Sequence, residues 1–194
     1  MRKARDVIVI SGTPGTGKTT IAKRVAHSIR AEYVSMGQYV AKNKLYLGVD
    51  RKRKTKIVDP AATRRSLKRH LAASKGWVVV DTHIPEGVPA KSVRLAIILR
   101  CHPRILEARL RAKKWSQNKI RENVLAEILD SCLLAAVGDY GKERVVQIDT
   151  SKKNVRECMT LVEDTVMGKR SPPRIGVDWL TRLDAEGVLE KYLK

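Results

Sequence analysis

The sequence contains no phenylalanine, and its aromatic residues amount to three Trp and five Tyr in 194 positions. A platform that stacks single-stranded bases needs several exposed rings, so that mode of nucleic-acid recognition is excluded as the main activity. Acidic residues are also few: 20 Asp and Glu stand against 40 Lys and Arg, for a formal net charge of +20. This excess goes beyond what solubility requires and points to a polyanionic partner or substrate. Long apolar runs are missing, since stretches such as 7–10 and 95–99 fall well short of the ~20 residues of a spanning helix. No apolar signal region follows the first six residues, so the expected location is the cytoplasm, with no membrane partner. The three cysteines, Cys101, Cys132 and Cys158, fit no C-x-x-C or metal-ligand spacing, which predicts reduced, mostly buried thiols. Gln (three) and Asn (four) are scarce, in keeping with a depletion of thermolabile amides.

What is present is a globular composition, 43% hydrophobic, at a length that suits one domain with a short appendage. Strand-like and helix-like patterns alternate, the signature of a parallel sheet covered by helices. The five expected strands are 6–11, 32–35, 77–81, 94–99 and 144–149, of which 32–35 is the weakest. The runs at 77–81 and 94–99 are continuous and apolar, as in strands buried on both faces. Residues 18–29 and 155–166 read as helices. Between 116 and 137, Ile120, Val124, Leu125, Ile128, Leu129, Cys132, Leu133 and Ala136 keep helical spacing, which predicts one long amphipathic helix with Ser116 as its N-cap. Residues 168–173, GKRSPP, break the pattern and open a C-terminal appendage over 169–194. Within it, Trp179, Leu180, Leu183, Val188 and Leu189 are candidates for docking on the body.

The most specific motif is GTPGTGKT at 12–19, which satisfies G-x-x-x-x-G-K-[ST] between a strand and a helix. Such a loop turns backbone N–H groups toward phosphate oxygens, with the positive end of the next helix behind them. Lys18 then reaches the β and γ phosphates of a nucleotide, and the Thr19 hydroxyl ligates Mg²⁺. Asp81, closing the strand WVVVD, is the candidate second acid that holds the metal through water; capping the next turn is the alternative role. His83 reads either as a structural hydrogen bonder or as a catalytic group. Arg109, Arg111 and Lys113 offer positive charge around a transferring phosphoryl group. A phosphate acceptor needs no base, whereas a water acceptor must be oriented by Asp81 or His83.

The phosphate loop, Tyr33-Val34-Ser35-Met36-Gly37, the Asp81-Thr82-His83 strand end, Arg109-Leu110, Trp115-Ser116, and Lys119-Ile120-Arg121-Glu122-Asn123-Val124 with Glu127-Ile128 follow one another in that order. Together they resemble the adenylate kinase isoenzyme-six family, the ribosome-assembly adenylate kinases of eukaryotes and archaea, over about residues 6–166. The resemblance implies an α/β P-loop nucleoside monophosphate kinase fold, with a five-stranded parallel sheet flanked by helices and a short lid. Residues 1–168 would form the kinase domain, with the monophosphate-binding segment at about 35–58 and the lid at about 112–122. Gly15, Gly17, Lys18, Thr19 and Thr20 fall on the ATP phosphate positions, and Lys152 on the position beside the adenine. ATP, Mg²⁺ and AMP or ADP are the implied ligands. A small-subunit ribosomal protein and pre-rRNA are the implied partners. Gln38 stands where the family carries an acid, Ala41 followed by Lys42 where it carries an arginine, and Lys113 where its lid carries an arginine. A lysine in the lid keeps the charge but loses the planar fork.

The basic clusters at 51–56, 64–69 and 109–114 could line one broad face and contact an RNA backbone. A solvated surface suited to a hot or salty cytoplasm is the alternative. Three functional readings follow. The first is an adenylate kinase with ATPase activity acting in small-subunit assembly and rRNA maturation. The others are a nucleotide-switched assembly factor that binds RNA or ribosomal protein with little turnover, and a kinase for another small-molecule acceptor.

Overall fold

Every residue of Val7–Ser11 (β1) and of Val78–Thr82 (β5) is buried, as continuous apolar runs covered on both faces require. The computed structural model describes residues 7–50, 55–170 and 176–193. Between and after these two strands the chain forms α1 (Lys18–Ser28), β2 (Glu32–Ser35), α2 (Met36–Lys42), β3 (Tyr46–Asp50), β4 (Thr55–Val58) and α3 (Pro60–Ala73). It continues through β6 (Val93–Arg100), α4 (Pro103–Ala112), α5 (Gln117–Ile128), α6 (Ser131–Tyr140), β7 (Val145–Asp149), α7 (Val155–Val166), α8 (Trp179–Ala185) and α9 (Glu190–Leu193).

Five strands form a parallel sheet in the order β2-β5-β1-β6-β7, so all five expected strands are present and the fold is that of a nucleoside monophosphate kinase-like P-loop protein. The pleat sends alternate residues to opposite faces. Val7 and Val9 join Val34, Leu67 and Ala136 beneath α2, α3 and α6, while Ile8 and Ile10 join Ile21, Val25 and Val162 beneath α1 and α7. Ile10 pairs with Asp81 and Ser11 with Thr82, which brings Asp81 level with the end of β1. From β1 the chain serves β2 and β5 on one side and β6 and β7 on the other. The crevice at the C-terminal ends of the strands, where that order reverses, is where ligands settle in open sheets.

The single long helix expected over 116–137 is two helices, α5 and α6, broken at Leu129 and Asp130. Asp130 adopts a left-handed φ of 55°, and its carboxylate pairs with the buried Arg100 guanidinium. Packing explains the break. Ile120, Val124 and Ile128 enter a third cluster with Leu106, Leu110 and Leu183, whereas Leu133 and Ala136 face the sheet, and one straight rod cannot serve both. Ser116 stands at the N-cap of α5 in an extended conformation, but its hydroxyl makes no capping bond.

The antiparallel pair β3–β4 and the helices α2, α3 and α4 add to the elements read from the sequence. Helix α3 starts where local chemistry asks it to, with Asp59 accepting from the Ala62 N–H at 2.9 Å and Pro60 in the first turn. Of the basic run 51–56, residues 51–54 lie outside the described ones, and Lys56 places its ammonium 4.6 Å from the centre of the Tyr46 ring. In the C-terminal segment, Trp179 and Leu183 are buried and Val188 and Leu189 partly so, while Leu180 is exposed. All three cysteines are free; Cys101 and Cys158 are buried and Cys132 is half-buried. Burial pushes each thiol above its ordinary pKa, that of Cys101 to about 11. No helix among the described residues is long and apolar enough to cross a membrane.

Candidate functional site

The loop between β1 and α1 has its shape imposed by backbone that only glycine tolerates at three points, Gly12, Gly15 and Gly17. Gly12 has a φ of +144°, and a Cβ there would lie 2.4 Å from the Leu99 carbonyl oxygen of the neighbouring strand. Gly17, at +98°, is the N-cap of α1, and a Cβ built on it would meet nothing within 4 Å. No side chain caps α1, and its first turn carries no acid. The first N–H groups of that helix therefore keep their donors and their positive partial charge for an anion. Between Gly12 and Gly17 the chain closes on itself, with the Thr13 carbonyl accepting from the Thr16 N–H at 3.2 Å and the Thr16 hydroxyl at 2.9 Å. Gly15 also has a positive φ.

Lys18, Thr19 and Thr20 make up the first turn of α1, Lys18 half-buried and the two threonines exposed. The Thr19 hydroxyl donates to Oδ2 of Asp81 at 2.7 Å, so the two residues expected to hold a metal are in contact. Tyr33, on β2, donates to the same oxygen at 3.1 Å. The other oxygen, Oδ1, is buried with no partner among the described residues. Such an oxygen is costly to leave unpaired. Beside a threonine hydroxyl and an uncapped helix start, it suits a hard cation carrying its own water and phosphate oxygens. No cluster of three or more His, Cys, Asp or Glu stands among the described residues, so an all-protein metal cage is not the arrangement on offer.

The remaining expected residues ring this point at different distances. His83 follows β5 at the mouth of the crevice, open to solvent on one side and enclosed by protein on the other. That enclosure lowers its pKa, as does the Lys18 ammonium, with Asp81 acting against them. Burial likewise lowers the pKa of Lys18; Asp81 opposes this, and Lys113 adds to it. Lys113, at the C-cap of α4 in the expected lid, is therefore near enough to repel Lys18 electrostatically. Arg109 donates to the Thr150 carbonyl at 3.2 Å, bridging α4 to the turn after β7. Lys152 is exposed in that same turn, and Arg111 is engaged by Glu107 in a surface ion pair at 2.7 Å. Lys18, Thr19, Asp81 and His83 are thus brought together with Lys113 nearby, while Arg109 and Lys152 form a second wall beside the end of β7.

Sequence reasoning missed Glu127 and Arg100, both all but fully buried. Oε2 of Glu127 accepts from the Thr13 hydroxyl in the phosphate loop at 2.6 Å, and Oε1 accepts from Arg100 Nε at 2.9 Å. The signal was available in the helical pattern. Glu127 falls on the stripe of Ile120, Val124 and Ile128, where an acid has no reason to be unless it is paired in the core.

The family described as "AAA domain" matches residues 8–130. A protein of Thermococcus onnurineus named "Putative adenylate kinase" is 35% identical over 180 residues, covering 92% of this chain and 93% of that protein. One of the same name from Pyrococcus abyssi is 37% identical, covering 89% of this chain and 91% of its own length. Among solved structures, shikimate kinase from Acinetobacter baumannii in complex with shikimate superposes with a TM-score of 0.60 at 14% identity, over 87% of this chain and 96% of that one. At that identity the likeness concerns the fold alone.

Proposed function

This chain belongs to the adenylate kinase-like family of AAA-domain proteins, and on that premise we propose that it transfers the γ-phosphoryl group of Mg·ATP to AMP, yielding two ADP. One observation carries the reading: at the mouth of a glycine loop on an uncapped helix, Asp81 holds the Thr19 hydroxyl with one oxygen and leaves the other unpartnered.

Thr19, directly, and Asp81, through water, would hold Mg²⁺, which would supply charge neutralisation at the phosphates. The chain's own residues do the rest by position. The loop N–H groups and the first turn of α1 take phosphate oxygens, and Lys18 is placed to follow the γ phosphate during transfer. Lys113 and Lys18 repel each other, and a polyphosphate between them would turn that repulsion into two attractions. In this reading Lys152 lies beside the adenine, as the resemblance implies, and Arg109 adds positive charge toward the transferring phosphoryl group. AMP enters along the segment 35–58, where Gln38 and Lys42 lie on α2. Its phosphate is already a nucleophile, so no general base is needed.

ATP hydrolysis is the second activity of the same site in this reading. His83 carries a lowered pKa and is neutral near pH 7, and so can accept a proton from a water that replaces AMP. The resemblance to ribosome-assembly kinases and the net charge of +20 support a role in small-subunit maturation, with a ribosomal protein and pre-rRNA as partners. Arg65, Lys68 and Arg69 are exposed on α3 and available for phosphate contacts there.

The experiment is release of ADP and of phosphate from Mg·ATP, with and without AMP, with Lys18→Ala as the blank. ADP formation dependent on AMP is expected, with slow phosphate release in its absence. No ADP formation with AMP present overturns the kinase reading.

A further inference from the structure

Glu127 is 2% exposed, yet it is a carboxylate on which four parts of the chain converge. Its Oε2 accepts from the Thr13 hydroxyl at 2.6 Å. Its Oε1 accepts from Arg100 Nε at 2.9 Å, the Cys101 N–H at 3.0 Å and the Trp179 indole N–H at 3.0 Å. These donors come from the phosphate loop, the end of β6, the residue after it, and the first residue of α8. Arg100, 1% exposed, balances the charge and spends its other donors on the Glu127 carbonyl, Gln147 and Asp130. A buried carboxylate this fully satisfied is fixed in orientation.

Two features give that fixity a reach beyond packing. Thr13 is itself buried, and its carbonyl closes the turn to Thr16, so holding the Thr13 side chain holds the leading half of the phosphate loop. At the other end, Trp179 comes from the C-terminal segment, its ring set edge-on to His102 with centroids 5.2 Å apart. The carboxylate therefore touches the nucleotide loop on one oxygen and the docked segment on the other. Glu127 also lies on α5, whose N-terminal half falls in the expected lid.

We propose that Glu127 is a positioning residue for the phosphate loop: it holds Thr13 in the conformation that receives ATP, and docking of α8 through Trp179 tightens that hold. The proposal rests on the reading of this loop as the ATP site. Loss of the Trp179 N–H leaves Oε1 with two donors instead of three and frees the carboxylate to turn away from Thr13. Any partner that lifts α8 off the body would weaken nucleotide binding by the same route.

The test uses the full chain and four variants: Thr13→Val, which keeps the shape and removes the hydroxyl, Thr13→Ser, which restores it, Trp179→Phe, and Thr13→Val with Trp179→Phe. Calorimetric titration with Mg·ATP is expected to show about tenfold weaker binding for Thr13→Val, near-native binding for Thr13→Ser and about threefold weaker binding for Trp179→Phe. In the Thr13→Val background, Trp179→Phe is expected to add nothing, because both act through one carboxylate. Native affinity in Thr13→Val, or an equal effect of Trp179→Phe in both backgrounds, overturns the proposal. Hydrogen exchange of the loop amides from Gly12 to Thr16 gives a readout without nucleotide. Faster exchange in Trp179→Phe is expected, and unchanged exchange overturns the coupling even if native protein binds no Mg·ATP, a result that would instead remove the ATP reading of the site.

Discussion

Tyr33 and Thr19 donate to one and the same oxygen of Asp81, from β2 and α1, at 3.1 and 2.7 Å. Two donors on a single oxygen fix the rotation of the carboxylate and leave its other oxygen buried without a partner among the described residues. Burial and then the Asp81 charge push the Tyr33 phenol up to about 12, so it remains a donor throughout the neutral range. Tyr33→Phe keeps the ring beneath the Lys23 ammonium and removes the phenol's hydrogen bonds to Asp81 and Ser35. The Mg²⁺ concentration for half-maximal ADP formation should rise about three- to tenfold, as for the loss of one typical hydrogen bond. A magnesium titration checks it, and an unchanged midpoint detaches Tyr33 from the orientation of Asp81.

His83 makes stability depend on pH in a defined sense. Its pKa lies below the ordinary 6.5 in the folded protein, so the unfolded chain takes up a proton first as pH falls. Its contribution is present above pH 6.5 and is lost between that value and the lower folded one. Melting temperatures of native protein and His83→Asn, compared from about pH 7.5 to about pH 5, should show the native protein losing more of its stability. Parallel declines would mean that the ring is not held neutral by its surroundings.

Two of the three glycines of the phosphate loop, Gly12 and Gly17, should respond differently to the same methyl group. Gly12→Ala drives a Cβ to 2.4 Å from the Leu99 carbonyl at a φ of +144°, so it should cost about 2–3 kcal/mol in denaturant unfolding. Gly17→Ala meets no protein atom within 4 Å and carries only the backbone strain, about 1 kcal/mol. In the proposed ATP site that open space would take phosphate, so Mg·ATP affinity should fall about tenfold or more while the fold persists. Equal stability losses would place the two glycines in the same structural role.

Arg100→Ala should destabilise the protein by about 3–5 kcal/mol in urea unfolding, since it strands the buried carboxylate of Glu127 without its counter-charge. Loss of less than about 1 kcal/mol would mean that water reaches Glu127 once the guanidinium is gone.

The strands, the glycine loop and Asp81 were legible because each is dictated locally: an apolar run, a phosphate-loop spacing, an acid at a strand end. The break at Asp130 was not, because the apolar period runs through it unbroken and the turn is set by Arg100 from another strand. The β3–β4 pair escaped for a different reason. Leu47, Val49 and Ile57 are exposed and the register shifts near Gly48, so the apolar residues of this short pair mark no buried face. Glu127 sat in plain view within an apolar stripe. Spacing reveals that such a residue is out of place, but only the fold supplies the partners that make it stable.

The hidden thiols also have a practical side. Because Cys101 and Cys158 are buried, and the half-buried Cys132 has its thiol pKa pushed up, maleimide dyes should react with all three slowly under mild conditions. A single cysteine introduced at Leu193, which is 53% exposed at the end of the docked segment, would then be the preferred attachment point for a fluorophore. The native chain thus needs no cysteine removal before the docking and release of α8 are followed by fluorescence, nucleotide by nucleotide.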